Sequence, residues 1–244
     1  VVFRDDPVNG PNHLKEAGKP IGHQNRYLAV GNYETIDDVF NNAQTGSINS
    51  VAPGQVVPGD FIYIDFDSNG ILNGQDKVAV DELNYPLHTY GLNLGFDWKG
   101  LSFSAMFYAP TGVYKLVNSV YSASFKSGKI NAQPDVMNAW TPETANTSGV
   151  RAPALHLTND GAFNGTESTY RYQNFSYLRL KTMELGYNLP KKWLKTVGLK
   201  SLQVYVTGNN LLTWWGGDDR IDPEGEQAKY PILRSFTSGV RVSF

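Results

Sequence analysis

LHTYGLNLGFDW, residues 87–98, reads as a strand with one apolar side. His88, Tyr90, Leu92, Leu94, Phe96 and Trp98 alternate with Thr89, Gly91, Asn93, Gly95 and Asp97, a strict period of two. Lys99-Gly100 is a tight turn. LSFSAMFYA follows, with Leu101, Phe103, Ala105, Phe107 and Ala109 on one face and Ser102 and Ser104 on the other, so the two runs form a hairpin. Working outward, SYLRLKTMELGYNL (176–189) is a further strand, in which Tyr177, Met183, Leu185 and Tyr187 are expected to share a face. Pro190 ends it, because proline cannot donate to a ladder. SLQVYVTGNNLLTW (201–214) aligns Leu202, Val204 and Val206, and RSFTSGVRVSF (234–244) aligns Phe236, Val240, Val242 and Phe244. Val1–Arg4 is read as the tail of an earlier strand.

The expected strands lie near 87–98, 101–114, 176–189, 201–214 and 234–244. Short turns alternate with long connections over 5–86, 110–175 and 215–233. In an up-and-down sheet this sorting places every long connection at one end. A sandwich has no reason to sort its loops, whereas an outer-membrane barrel has short turns on one side and long external loops on the other. A strand of ~11–14 residues, tilted about 45°, spans roughly the apolar band of such a wall. Trp98, Tyr187, Trp214, Trp215 and Phe244 sit near strand ends, where interfacial aromatics belong. Five strands cannot close a barrel, and bare edges are not tolerated in lipid, so either the remaining strands come from another part of a longer chain or the membrane reading is wrong.

Composition agrees with an all-β chain. The 244 residues include 24 Gly and 13 Pro, 13% are aromatic and only 18% are charged. With 21 Lys and Arg against 23 Asp and Glu, no basic excess exists to hold a nucleic acid. The absence of Cys excludes disulfides, thiolate metal sites and Cys nucleophiles. No run of about 18 apolar residues exists to form a transmembrane helix, which leaves strand spans of ~9–11 residues open. The opening Val1-Val2-Phe3-Arg4 carries no signal peptide and reads as a processed or excised piece.

Several stretches resemble one family. Ser176–Lys181 (SYLRLK) with Leu185–Pro190 (LGYNLP), and Val204–Trp214 (VYVTGNNLLTW), resemble consecutive barrel strands of SusC-like (RagA/SusC) TonB-dependent outer-membrane transporters. Asp222-Pro223-Glu224 and Tyr230-Pro231 fall where that family has its last external loop, and Gly239–Phe244 resembles its terminal strand. Upstream, Gly59–Asp65 and Asp67–Gly70 resemble a "GDIKYKDVNGDG" loop, and Gly18–Gly22 a "G-x-P-I-G" stretch. The resemblance implies the C-terminal strands of a large antiparallel transmembrane β-barrel with long extracellular loops, of about 22 strands in the full protein. The plug and the TonB-contacting box have no counterpart in this chain. It further implies an outer-membrane importer of oligosaccharides or peptides, with a SusD-like surface lipoprotein as lid, TonB acting through the absent N-terminal part, and no catalytic residue. Meeting a bilayer is part of the same expectation.

One motif carries sharp chemistry. Asp65, Asp67, Asn69, the Ile71 carbonyl, Asn73 and Asp76 fall at positions 1, 3, 5, 7, 9 and 12 of an EF-type loop, with Gly70 at position 6. This set can supply the oxygens that a structural Ca²⁺ requires. The same Asx-rich run also suits a metal-free turn. His13, His23, His88 and His156 are too scattered for zinc. Asp218-Asp219 and Asp222/Glu224 read as solvated loop charges or as a carboxylate pair for glycoside hydrolysis. Tyr114, Tyr121, Trp140, Tyr170, Tyr172, Trp214 and Trp215 are candidates for stacking on a sugar, or for loop packing. The competing architecture is a secreted, calcium-stabilised β-sandwich that binds carbohydrate.

Overall fold

The computed structural model describes residues 11–41, 56–117, 131–132, 134–145, 152–155, 164–196, 198–225, 227 and 229–244. Val1–Arg4, Tyr121 and His156 lie outside the described residues. The chain divides into two compact units, one from residues 1–83 and 115–173, the other from 84–114 and 174–244.

In the first unit β1 (Gln24–Arg26) pairs antiparallel with β4 (Val78–Val80), and β2 (Ala29–Asn32) with β3 (Phe61–Tyr63). A short helix, α1 (Ile36–Asn41), follows β2. The core is Tyr27, Phe61, Tyr63 and Leu72, with Ala29 and Val56 packed against it. Asp60 is buried beside this core and its charge is matched by donors: it accepts from Asn164 Nδ2 at 2.7 Å and from the Val57 amide at 2.9 Å. Asn164 Oδ1 in turn accepts from the Phe61 amide at 3.0 Å. Residues 59–63 and 164–168 are thus tied across a long sequence separation. The segments expected as the long loops 5–86 and 110–175 therefore supply a packed body with its own core. Periodicity could not show this, because its strands are only three or four residues long.

The second unit is a five-stranded antiparallel sheet. It contains β5 (His88–Trp98), β6 (Leu101–Thr111), β9 (Tyr177–Asn188), β10 (Ser201–Trp215) and β11 (Ser235–Ser243), in the order β11-β10-β9-β6-β5. Two short strands, β7 (Tyr114–Leu116) and β8 (Tyr172–Asn174), flank the long stretch between β6 and β9. Lys99 and Gly100 both have positive φ, +48° and +90°, as a two-residue hairpin turn of the primed type requires. A Cβ on Gly100 would lie 2.8 Å from the Asn188 carbonyl oxygen, so this turn needs glycine for space as well as for φ. Between β9 and β10 lies a short helix, α2 (Lys191–Lys195), anchored by buried Leu194.

Register separates the two faces cleanly. Trp98, Leu101, Tyr187, Val204 and Val240 lie in one cross-strand row; Phe96, Phe103, Leu185 and Val206 lie in the next. With Leu92, Leu94, Leu212, Trp214, Phe236 and Val242 they make an apolar face across all five strands, and most of these side chains are exposed. The opposite face carries Asn93, Asp97, Ser102, Ser104, Thr182, Glu184, Gln203, Thr207, Arg241 and Ser243.

The sequence reading needs one correction here. Tyr177 does not share a face with Met183, Leu185 and Tyr187. The registers shift between Met106 and Phe107 and between Asn209 and Leu212, so Lys181 is an extra residue against β6, and Asn210 and Leu211 together oppose Lys181. Asn210 takes the left-handed conformation (φ +53°), as bulges commonly require. The bulge reverses the alternation along β9. Leu178 and Leu180 join the apolar face, while Tyr177 and Arg179 turn to the polar one. Leu211 packs with Ala105 and Leu180 at this point.

Candidate functional site

Two constellations stand out, one in each unit. The first is the loop between β3 and β4. Carboxylate oxygens of Asp65, Asp67 and Asp76 approach within 4.8 Å of one another. Asp65 accepts from the amides of Gly70 (2.7 Å) and Asn69 (3.2 Å). Asp67 accepts from the Asn69 amide and side chain at 3.1 and 2.7 Å, and Asn69 Oδ1 from the Ile71 amide at 2.7 Å. Ser68 and Gly70 have φ of +59° and +78°, which folds the run back on itself. Asn73 caps a 3₁₀ turn at Gly74–Asp76 and forms a reciprocal capping box with Asp76. Asp76 is fully buried and accepts from the amides of Phe66 (2.9 Å) and Asn73 (2.7 Å). Burial pushes the Asp65 carboxyl up, but the bonds from the Gly70, Asn69 and Ser68 amides outweigh it and hold it below its ordinary value.

The ligand set read from sequence is therefore brought together in part. Asp65, Asp67 and Asp76 converge; Asn69 and Asn73 spend their side-chain oxygens on the Ile71 and Gln75 amides. The Ile71 carbonyl accepts from Asn73 Nδ2 at 3.1 Å. A cluster of three carboxylates so arranged suits a hard cation.

The second constellation was misread from sequence. Asp222 and Glu224 are neither solvated charges nor a free acid pair. The Arg179 guanidinium, 2% exposed, donates from Nη2 to Asp222 Oδ1 at 2.7 Å, from Nη1 to Glu224 Oε2 at 2.8 Å and from Nε to Thr213 Oγ1 at 2.9 Å. Lys181 pairs with the other oxygen of Glu224. Asp222 Oδ1 also accepts from the amides of Glu224 and Gly225 at 2.9 and 3.2 Å. Burial pushes Asp222 up, yet Arg179 and the two amides prevail and leave it below its ordinary value. Tyr177 packs 5.3 Å from the Arg179 guanidinium, and Ile221 is buried beneath the loop. Arg179, Tyr108 and Thr213 face each other across β9, β6 and β10 on the polar side, so residues 221–224 are held against that side of the sheet. Asp218 is likewise occupied, by Arg220 at 2.9 Å. Asp218, Asp222 and Glu224 are thus each held by a cation.

The aromatic candidates scatter. Trp140 is buried under Gly59 and donates from Nε1 to Glu34 at 3.3 Å. Tyr172 is half-buried, with the Arg26 guanidinium 3.1 Å above its ring. Tyr170 keeps 38% exposure and lies 4.4 Å from the Phe61 ring. Tyr114 is half-buried in β7. Trp214 lies on the exposed apolar face, and Trp215 turns the other way to pack 5.1 Å from Phe175. Of these candidates Tyr170 and Trp214 keep exposed rings, at 38% and 48%, and they belong to different units.

The chain is similar to two curated proteins of Formosa agariphila. It is 30% identical to TonB-dependent receptor P3 over 97% of its length, and 31% identical to TonB-dependent receptor P26 over 77%. The chain is homologous to a segment of TonB-dependent receptors. It spans about a quarter of the first of these relatives and a fifth of the second, covering 24% and 20% of them. No family model matches it. Among solved structures it resembles the RagAB peptide importer in the open-open state, with a TM-score of 0.67 and 23% identity, over 93% of this chain and 23% of that one. A second structure of the RagAB peptide transporter gives 0.62 at the same identity and the same coverage. The fold of this receptor segment is thus that of part of a large all-β barrel. TonB-dependent receptors are not enzymes.

Proposed function

We propose that the chain forms part of the wall and the external region of an outer-membrane, TonB-dependent importer for oligosaccharides or peptides. One observation carries the reading. A single antiparallel sheet exposes a continuous apolar face across five strands while its other face is polar. In water such a face demands a cover. In a barrel wall it meets lipid, and the polar face lines the interior. The open edges at β5 and β11 then pair with the remaining strands of the receptor, which also supplies the plug. The competing sandwich needs a second sheet over the apolar face, yet the other sheets among the described residues have two strands each.

In this reading the unit formed by 1–83 and 115–173 is extracellular, since its segments enter and leave the sheet at the end opposite the short turns. It is the surface that a SusD-like lipoprotein would contact. The Asp65–Asp76 loop holds a structural Ca²⁺ there, on the converging carboxylates of Asp65, Asp67 and Asp76. TonB acts through parts of the receptor outside this chain. The test is deletion of the full-length receptor in its host, followed by measurement of oligosaccharide and peptide uptake. Loss of uptake of one substrate class in the deletion strain, together with co-purification of a surface lipoprotein with the receptor from the parent strain, is the expected result. Unchanged uptake of both classes contradicts the importer assignment.

A further inference from the structure

The short-turn end of the sheet is lopsided in charge. Beyond the row Trp98–Leu101–Tyr187–Val204–Val240 lie Lys99, Lys191, Lys192, Lys195 and Lys200, all exposed, and Arg241. No carboxylate side chain stands beyond that row among the described residues. The nearest are Asp97, one row inside, and Glu184, which is already bound by Arg241 at 3.0 Å and by Thr207 at 2.9 Å. None of the five lysines has a carboxylate partner among the described residues. Lys99 instead lies 4.9 Å from the ring centre of Trp98.

These cations are presented by ordered backbone. Leu194 is buried under α2, the Leu199 amide closes back on the Leu194 carbonyl at 3.1 Å, and the Lys200 amide bonds the Ser243 carbonyl at 2.8 Å. Trp193 and Trp98 stand exposed at 65% and 63% among them, and Tyr187 lies in the same belt. Indole rings favour the boundary between acyl chain and headgroup, and a lysine stem can lie along apolar surface with its ammonium in water.

We propose that this rim is a binding surface for the phosphate groups of anionic glycerophospholipids in the leaflet at the short-turn end. Trp98 and Trp193 sit at the acyl boundary, and Lys191, Lys192, Lys195 and Lys200 reach the phosphates beyond it. The inference rests on the wall reading and adds to it a lipid class and a set of contact residues.

The test uses the full-length receptor in nanodiscs and counts retained lipids by native mass spectrometry. Phosphatidylglycerol is compared with phosphatidylethanolamine of identical chains. A lysine near an anionic surface contributes about fivefold in affinity, so the wild type is expected to favour phosphatidylglycerol by tenfold or more. Lys191→Gln, Lys192→Gln, Lys195→Gln and Lys200→Gln combined should cut this below threefold, with the folded fraction unchanged. The pair Lys192→Gln with Lys195→Gln should give an intermediate loss, and decides the matter if the quadruple variant does not fold. Lys15→Gln, exposed in the other unit, should have no effect. Equal retention of the two lipids by the wild type, or full preference in the lysine variants, overturns the proposal. Failure of the receptor to enter nanodiscs would instead count against the wall reading itself.

Discussion

Arg179→Ala tests how the loop after β10 is held. The substitution leaves Asp222, with 12% side-chain exposure, facing the space of a lost guanidinium, while Glu224 keeps Lys181 and Asp222 keeps two amides. Removing one partner of a buried pair costs ~3–5 kcal/mol. The donors that remain argue for the lower end, about 3 kcal/mol. At about 1.4 kcal/mol per decade this makes local opening on the order of a hundredfold easier. Hydrogen exchange of the peptide covering 216–225, in the full-length receptor, reads this directly. Arg179→Met combined with Asp222→Asn and Glu224→Gln removes the charges together and should restore much of the protection. If the peptide exchanges equally fast in the wild type and in Arg179→Ala, the buried cluster does not hold the loop and the argument fails.

Other outcomes follow from the same geometry. Leu94→Arg, on the apolar face, should destabilise a barrel in lipid by ~2–4 kcal/mol near mid-membrane, whereas Asn93→Arg should cost far less; urea unfolding in vesicles compares them. Asp222 has a depressed folded pKa, so its contribution is complete above the ordinary aspartate value and is lost as pH falls through the folded one. The protection of 216–225, taken relative to the intrinsic exchange rate at each pH, should therefore stay high at neutral pH and fall in acid, and a loop that loses protection instead on raising pH would contradict this sign. Asp65→Ala with Asp67→Ala should abolish any protection that millimolar Ca²⁺ gives residues 65–76; persistence of Ca²⁺-dependent protection in the double variant would rule out these ligands. Trp140→Ala should destabilise the first unit by ~3–5 kcal/mol, checked by thermal unfolding, because the ring fills the space under Gly59.

How much of this was legible in the sequence depends on the range of the signal. The alternation in 87–98 and 101–109 is local, so the hairpin, its turn and its apolar face could be read off directly. The loop at 65–76 was legible because its ligands sit within twelve residues at fixed spacing. Tyr177 was placed on the wrong face because the bulge at Lys181 and Asn210 leaves no mark in the pattern of a single strand. The Gly208-Asn209-Asn210 run, residue types that tolerate a left-handed conformation, was the one available hint. The pairing of Arg179 with Asp222 and Glu224 spans more than forty residues, a separation that period-two reasoning cannot bridge. An arginine inside an otherwise barrel-like strand does, however, demand a buried partner. The first unit was hidden for the same reason, since Asp60 meets Asn164 across a separation of 104.

The central claim is that the apolar face of the five-stranded sheet meets lipid, and cysteine scanning along β9 tests it most directly. The chain has no cysteine of its own, and any cysteine elsewhere in the receptor is first replaced by serine, so that each introduced thiol can be attributed to its site. In the receptor embedded in bilayers, thiols at 183, 185 and 187 should react only with a lipid-soluble reagent, and those at 184 and 186 with a water-soluble one. Across the bulge the pattern should reverse, with 178 reached from lipid. Water-soluble labelling of 178, 185 and 187, or an alternation that continues unbroken from 187 to 178, would contradict the account.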